Sequence, residues 1–518
     1  MEHNLKLIFI FLFTLFILSI CHNVNSHLAT SSRNDSNYWS FAGNKMNGFP
    51  ITANRVIKNL RDPVTHLKII PSQDTLYYYL QKVYEAGFNL VTVNLTPANN
   101  SLTKQDEYYK NFFDALQKIN SGYSKKLRCI VYDSRIKKLA PEALLPFILK
   151  FYNRDEVYGF SYDEPRYREF DMVKSWKESI DSLNQLNLLK NKLFYVNLFG
   201  IKALKDYRNY VYSFLNMVNP QVLSFDHYPL WDEKLAGKYG YSLNSDWIND
   251  YFLNFEFIRQ TSLSSNIPFF NWVLIHKHWS DYSNLFYRRA SEGDLIFQVY
   301  SSLAYGSKGI FYYNFWNQNH IFYDNGWNEE EGILDYNLVK TEIFSVVSNL
   351  NNQISRLSDI LLQLKSTGVY HKNENYYNNS FISDGSLDVK LEQLYDSNSD
   401  RFEKKFGIKL IEWNDSTELP GKDLSNKFIH DIDNSAALAG LFEGKDNSDY
   451  FMLVNKNRNS EEQFEIFVDP SKLTNENATR IIDVLSNSEI INTKSMRNLL
   501  KFSISLSPGS GKLFTLIE

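Results

Sequence analysis

The sequence predicts a (β/α)8 barrel followed by an antiparallel β-sandwich, and three observations carry that reading. Between residues 40 and 316, eight short apolar runs alternate with longer amphipathic stretches. After about residue 366 the texture changes to short runs split by Asn, Asp, Ser and Gly. The 518 residues exceed one ordinary domain and suit a barrel of roughly 250–350 residues with a smaller partner.

The chain opens with Lys6 and the apolar run Leu7 to Ile20, about 14 residues, which is short for a bilayer span but right for a signal-peptide core. Val24-Asn25-Ser26 offers small-residue cleavage chemistry, so residues 1–26 read as a signal peptide and the mature chain begins near His27. An uncleaved anchor is the alternative. No second apolar run has spanning length, so the expected destination is secreted or lumenal, with no membrane contact beyond the signal.

The barrel is expected over residues 27–365. Its strand candidates are Trp39–Gly43, Leu90–Asn94, Leu127–Asp133, Val157–Glu164, Leu193–Leu198, Val222–Tyr228, Phe269–Ile275 and Gly309–Trp316. Most are nearly continuous in apolar or aromatic residues, as strands covered on both faces must be. Amphipathic stretches such as Leu76–Ala86, Asp106–Ile119, Asp171–Leu188 and Gly293–Tyr305 lie between them, and 331–364 reads as the last barrel helix with its extension. The sandwich is expected over 366–518. Its candidates are Phe381–Ile382, Ile408–Trp413, Ala437–Phe442, Tyr450–Asn455, Gln463–Val468, Arg480–Leu485, Leu500–Leu506 and Lys512–Ile517, with 383–405 and 414–435 as polar loops.

A net charge of −4 on so long a chain gives no electrostatic case for nucleic acid. Beyond the signal only Cys129 remains, inside an apolar stretch, so neither an internal disulfide nor a thiolate metal cluster is expected. Sequons begin at Asn34, Asn94, Asn99, Asn378, Asn414 and Asn477 and fit a glycosylated product.

In a barrel of this kind chemistry sits at the carboxyl ends of the strands. The fourth run ends Tyr162-Asp163-Glu164-Pro165, and two adjacent carboxylates on a pleated strand point to opposite faces. A carboxyl in a partly dry, aromatic mouth has its proton affinity raised, which suits a general acid; a helix N-cap is the rival role. The sixth run ends Phe225-Asp226-His227-Tyr228, where Asp226 is a second carboxylate or a hydroxyl-orienting group. Asp133 (alternatively tied to Arg135), Asn197, His227, Tyr228, Trp272, His276, Asn314 and Trp316 end or line the other runs, supplying hydrogen-bond partners and flat faces for a carbohydrate. His276 and His278 have HxH spacing, but no third ligand is in view, so no metal or other cofactor is expected.

The mature chain resembles a clan A glycoside hydrolase-type barrel with a C-terminal β-sandwich, within a secreted group related to the β-galactosidase-like families. The matching segments are Glu85–Asn89, Tyr162–Pro165, Ser224–Pro229, Gln298–Ile310 and Leu506–Phe514. The resemblance implies an acid/base glutamate ending strand four, which falls on Glu164, preceded here by Asp163 where Asn is common. It also implies a nucleophilic glutamate ending strand seven, where this chain reads Leu274-Ile275-His276-Lys277-His278 and has no carboxylate. Asp226 is the preferred stand-in, followed by Asp163, Glu292 and Asp294, the last two opening a helix where capping is the rival role. The expected function is a glycosidase using Glu164 with Asp226 or Asp163. The alternative is a carbohydrate-binding protein on the same barrel that does not hydrolyse.

Overall fold

Eight parallel strands close on themselves in the order β1-β10-β7-β6-β5-β4-β3-β2. They are β1 (Ile51–Ala53), β2 (Leu90–Asn94), β3 (Arg128–Tyr132), β4 (Val157–Asp163), β5 (Leu193–Phe199), β6 (Leu223–Asp226), β7 (Phe269–Leu274) and β10 (Ile310–Tyr313). The computed structural model describes residues 48–57, 69–94, 102–133, 135, 140–189, 191–201, 207–238, 247–280, 285–316, 328–330, 332–372, 427–490, 492–494 and 499–518. Seven strands fall on the expected runs. The first does not: Ile51–Ala53 closes the barrel by pairing with β10 and β2, and Trp39–Gly43 lies outside the described residues. Residues 1–26, the expected signal peptide, also lie outside them.

Each strand is buried along nearly its whole length because helices cover the outside while side chains fill the lumen. The helices are α1 (Gln73–Glu85), α2 (Leu102–Gly122), α3 (Pro141–Phe151), α4 (Phe170–Gln185), α5 (Tyr207–Val218), α6 (Glu233–Lys238), α7 (Trp247–Ser264), α8 (Glu292–Ala304) and α9 (Ile343–Gln363). Local sequence starts them. Ser72 caps α1 by accepting from the Thr75 amide at 3.2 Å, and Leu76, Tyr79, Leu80 and Val83 then fall on one buried face. In α8, Ser291 and Asp294 form a reciprocal capping box, which accounts for Asp294 as a helix-opening residue.

The antiparallel part consists of a six-stranded sheet, order β12-β14-β15-β21-β17-β18, and a four-stranded sheet, order β13-β16-β20-β19. Its members are β12 (Leu364–His371), β13 (Ile429–Asp433), β14 (Ala437–Gly444), β15 (Asp449–Asn455), β16 (Glu462–Val468), β17 (Arg480–Asp483), β18 (Ser488–Ile490), β19 (Asn492–Lys494), β20 (Leu500–Leu506) and β21 (Gly511–Ile517). Two differ from expectation. β12 follows α9 without a linker and starts at the end of the expected helix 331–364, ahead of the first expected sandwich run. β13 falls inside the supposed polar loop 414–435; its two apolar residues, Ile429 and Ile432, are buried, and a register shift after Ile429 breaks the alternation. The expected runs Phe381–Ile382 and Ile408–Trp413, with loop 383–405, lie outside the described residues.

The two parts share a core. Leu438, Phe442, Met452, Val454 and Leu513 join the barrel's apolar cluster, each burial stabilising by about 2 kcal/mol, while a second cluster fills the space between the two sheets. Helix α8 is buried almost all round because β14, β15 and β21 cover its outer side. The approach is close enough to demand glycine: a Cβ on Gly440 would sit 2.0 Å from the Ala304 carbonyl. A third, small sheet, order β11-β8-β9, joins β8 (His278–Ser280), β9 (Leu285–Tyr287) and β11 (Asn328–Glu329) as a canopy over the strand ends of β7 and β10.

Candidate active site

Alternation along the strands decides which side chains reach the lumen. On β6, Phe225 turns outward against Phe255 of α7, with ring centroids 5.4 Å apart, and His227 likewise turns outward toward Tyr251 at 6.3 Å. Ser224 and Asp226 therefore face inward, as do Tyr195 and Asn197 on β5, Trp272 on β7 and Phe311 and Tyr313 on β10. His227 is thus placed in the outer layer, away from the mouth.

Glu164 follows β4 directly. Its backbone sits in the left-handed region, φ 47°, a conformation that costs a non-glycine residue about 1–2 kcal/mol. The turn is pinned on both sides. The Glu164 amide donates to the Asn197 carbonyl at 2.9 Å, and the Tyr210 hydroxyl donates to the Pro165 carbonyl at 2.8 Å. Helix capping is done elsewhere: Glu169 accepts from the Arg166 amide at 2.8 Å and from the Tyr162 hydroxyl at 2.9 Å. Glu164 is half-buried and Asp163 is exposed, so neither is sealed from solvent.

Asp226 lies across β5 from them. Burial, and then the neighbouring Asp163 charge, push its carboxyl up to about 7, against the pull of hydrogen bonds from Asn197 and Tyr228. Its Oδ1 is buried and accepts no hydrogen bond, while Oδ2 takes the Tyr228 hydroxyl at 3.4 Å. Tyr228 and Tyr287 both feel the Asp226 and Glu164 charges, which places the two carboxyls around one aromatic wall. Of the expected acids, Asp163 is near enough for its charge to act on Asp226, and Glu164 acts on the same two tyrosines as Asp226.

The residues expected to read substrate are placed differently. Asp133 is buried and tied to Arg135, whose Nε and Nη2 donate to its two oxygens at 2.9 and 2.5 Å. Asn197 is buried beneath the acids and donates from Nδ2 to Asp163 at 3.3 Å. Trp272 lies in the lumen, donating to the Tyr195 hydroxyl at 2.7 Å. Tyr228 stacks parallel to Tyr313 at 6.0 Å. Trp316 is buried beside Leu334.

His276 and Asn314 are fully buried under the canopy. The Nδ1 of His276 donates to the Tyr313 carbonyl at 3.2 Å, which leaves Nε2 as a buried acceptor without a partner. Burial, then the Arg55 charge, push His276 down to about 3, and His278 is driven well below its ordinary value by burial and by His276. Both amide atoms of Asn314 are buried and find no hydrogen-bond partner among the described residues.

Glu329 was not singled out from the sequence. It is 2% exposed on β11, its Oε1 accepting from Arg55 at 2.5 Å and from the Tyr313 hydroxyl at 3.3 Å. Its only sequence signal is the acidic run Glu329-Glu330-Glu331, which looks like any solvated loop. Among the described residues, no group of three or more His, Cys, Asp or Glu is placed to hold a metal ion.

No family model and no curated protein matches the sequence. Among solved structures, a catalytic mutant of a GH42 β-galactosidase from G. stearothermophilus is similar with a TM-score of 0.55 at 9% identity, over 91% of this chain and 98% of that one. An α-amylase from Geobacillus thermoleovorans, at 10% identity, covers the same shares with a TM-score of 0.49. A GH27 β-L-arabinopyranosidase from Geobacillus stearothermophilus, at 8% identity, covers 93% and 98% with a TM-score of 0.45. The first likeness concerns the fold, here a closed (β/α)8 barrel followed by antiparallel sheets.

Proposed function

We propose that this protein is a secreted glycoside hydrolase that cleaves O-glycosidic bonds with Glu164 as general acid/base and Asp226 as its partner. The observation that supports the reading is that Glu164 and Asp226 follow or end strands β4 and β6 of a closed barrel and that both charges act on Tyr228 and Tyr287. Glycoside hydrolysis needs two carboxyl groups flanking the bond, one holding a proton and one ionised. Asp226 sits near 7, where a base is best poised, and Glu164 is the group read as carrying the proton. The acid then protonates the leaving oxygen while Asp226 activates water or attacks the anomeric carbon. The barrel likeness to a β-galactosidase supports the substrate class in general, and the sugar itself stays open. Secretion is supported by the run Leu7–Ile20 and by two exposed sequon residues, Asn94 and Asn477.

The test is a screen of aryl glycosides with wild type and Glu164→Gln. The wild type turns over at least one class and the variant does not; equal turnover by both removes Glu164 from the mechanism. A second reading, a carbohydrate-binding protein without hydrolysis, is favoured by the end of β7, where His276 is buried and no carboxylate stands. Saturable sugar binding with no turnover of any glycoside would decide for it.

A further inference from the structure

Beneath the acids, four buried side chains form an unbroken chain of hydrogen bonds across the lumen. The Trp272 indole donates to the Tyr195 hydroxyl at 2.7 Å and also approaches Ser224 Oγ at 3.2 Å. Tyr195 and Ser224 hydroxyls meet at 2.5 Å. Ser224 donates to Asn197 Oδ1 at 3.2 Å, and Asn197 Nδ2 donates to Asp163 at 3.3 Å. None of the four is more than 7% exposed.

The direction of every bond follows from the two ends. An indole N–H can only donate, and an ionised carboxylate can only accept. Asn197 must therefore turn its NH2 edge to Asp163, which leaves its carbonyl to accept from Ser224. The single Ser224 proton is thereby spent, so Tyr195 must be the donor between the two hydroxyls. Tyr195 in turn accepts from Trp272. All protons point toward the acids. The Tyr195 ring is held for this by stacking on Phe311 at 4.9 Å and 3°.

We propose that Trp272, Tyr195 and Ser224 are positioning residues, a one-way relay that locks the Asn197 amide with its N–H edge toward Asp163 and Asp226. Reversal of that amide would aim a carbonyl dipole at two carboxyls and make both harder to ionise. Asn197 already favours the charged form of Asp226. Among the described residues, the other titratable groups facing the pair are Glu164 on the turn after β4, Tyr132 on β3, Tyr207 and Tyr210 on α5, Tyr228 after β6 and Tyr287 on β9.

The test reads the carboxyls directly and so is separate from hydrolysis. The full chain is labelled with 13C at the aspartate carboxyls and titrated by NMR, with Asp163→Asn and Asp226→Asn assigning the two signals. Ser224→Ala frees the amide and is expected to move both midpoints upward, by about one pH unit or tenfold in proton affinity. Ser224→Thr keeps the hydroxyl and is expected to restore them. Tyr195→Phe keeps the ring, removes the donor to Ser224 and is expected to move them by less in the same direction. Unmoved midpoints in folded Ser224→Ala overturn the relay, as does a Thr variant shifted as far as the Ala variant. If Ser224→Ala does not fold, unmoved midpoints in Tyr195→Phe overturn it instead.

Discussion

The two sides of the barrel mouth meet burial in opposite ways. On the β4–β6 side, Asp163 is exposed and Glu164 and Asp226 are half-buried, and desolvation with like charge pushes Asp226 up to about 7. On the β7–β10 side the canopy of β8, β9 and β11 covers the strand ends, and desolvation pushes His276 down to about 3. One side holds a proton that can be given away near neutrality. The other holds imidazoles that stay neutral and act only through fixed donors and acceptors. The missing carboxylate at the end of β7 fits this division: a carboxylate under the canopy would be desolvated as fully as His276 is, at a cost of several kcal/mol without a partner.

The largest expected effect breaks the reactive side outright. Glu164→Gln keeps size and the pinned turn but cannot exchange a proton, so kcat on an activated aryl glycoside should fall about a thousandfold. Asp226→Asn should cost about a hundredfold, and its pH dependence sharpens the comparison. If Asp226 acts as base, kcat/KM of the wild type rises as pH passes about 7. Removing the neighbouring charge with Asp163→Asn should then move that limb to lower pH by about one unit. A limb that stays in place would separate Asp163 from the pair.

Stability should respond to pH with opposite signs on the two sides. Asp226 has a raised folded value, so its contribution is fully present below about 4 and is lost as pH rises through about 7. His276 has a depressed folded value, so the unfolded chain binds the extra proton and stability is lost as pH falls from the ordinary histidine value of 6.5 toward about 3. His276→Gln should therefore leave unfolding at pH 8 within about 1 kcal/mol and flatten the acid limb by a few kcal/mol near pH 4 in denaturant titrations. An unchanged acid limb would mean that His276 is not desolvated and that the two sides are alike.

Much of the reactive side was legible because it ends long apolar runs. Glu164 and Asp226 stand where a buried strand stops and a carboxylate follows, a pattern that burial on both strand faces enforces. His227 follows the same strand but turns outward, and only the observed pleat phase distinguishes it from Asp226. β1 escaped because three residues, Ile51–Ala53, are too short to stand out beside the aromatic run at Trp39. The canopy side was harder for a different reason. Glu329 reaches the mouth on a two-residue strand whose position depends on pairing with β8, a contact between segments far apart in the chain that carries no local periodicity. The fully buried state of His276 and Asn314 depends on that same canopy.

The smallest expected effect tests whether the canopy is a structural cover or part of the reaction. Glu329 neutralises Arg55 and accepts from Tyr313, with its second oxygen buried and unpartnered. In Glu329→Gln the amide oxygen can still accept from both. What is lost is the charge, opposite an Arg55 side chain that is 38% exposed and can be rehydrated, so the cost to stability should stay near about 1 kcal/mol. The neighbouring His278 loses the one nearby charge that favoured its protonation and should become still harder to protonate. If the reactive proton belongs to the β4–β6 side alone, kcat should change less than about threefold while KM carries any loss of sugar contact. A fall in kcat as large as that of Asp226→Asn, with KM unmoved, would instead put Glu329 among the groups acting in the transition state, and the division of the mouth into a half that exchanges a proton and a half that does not would have to be abandoned.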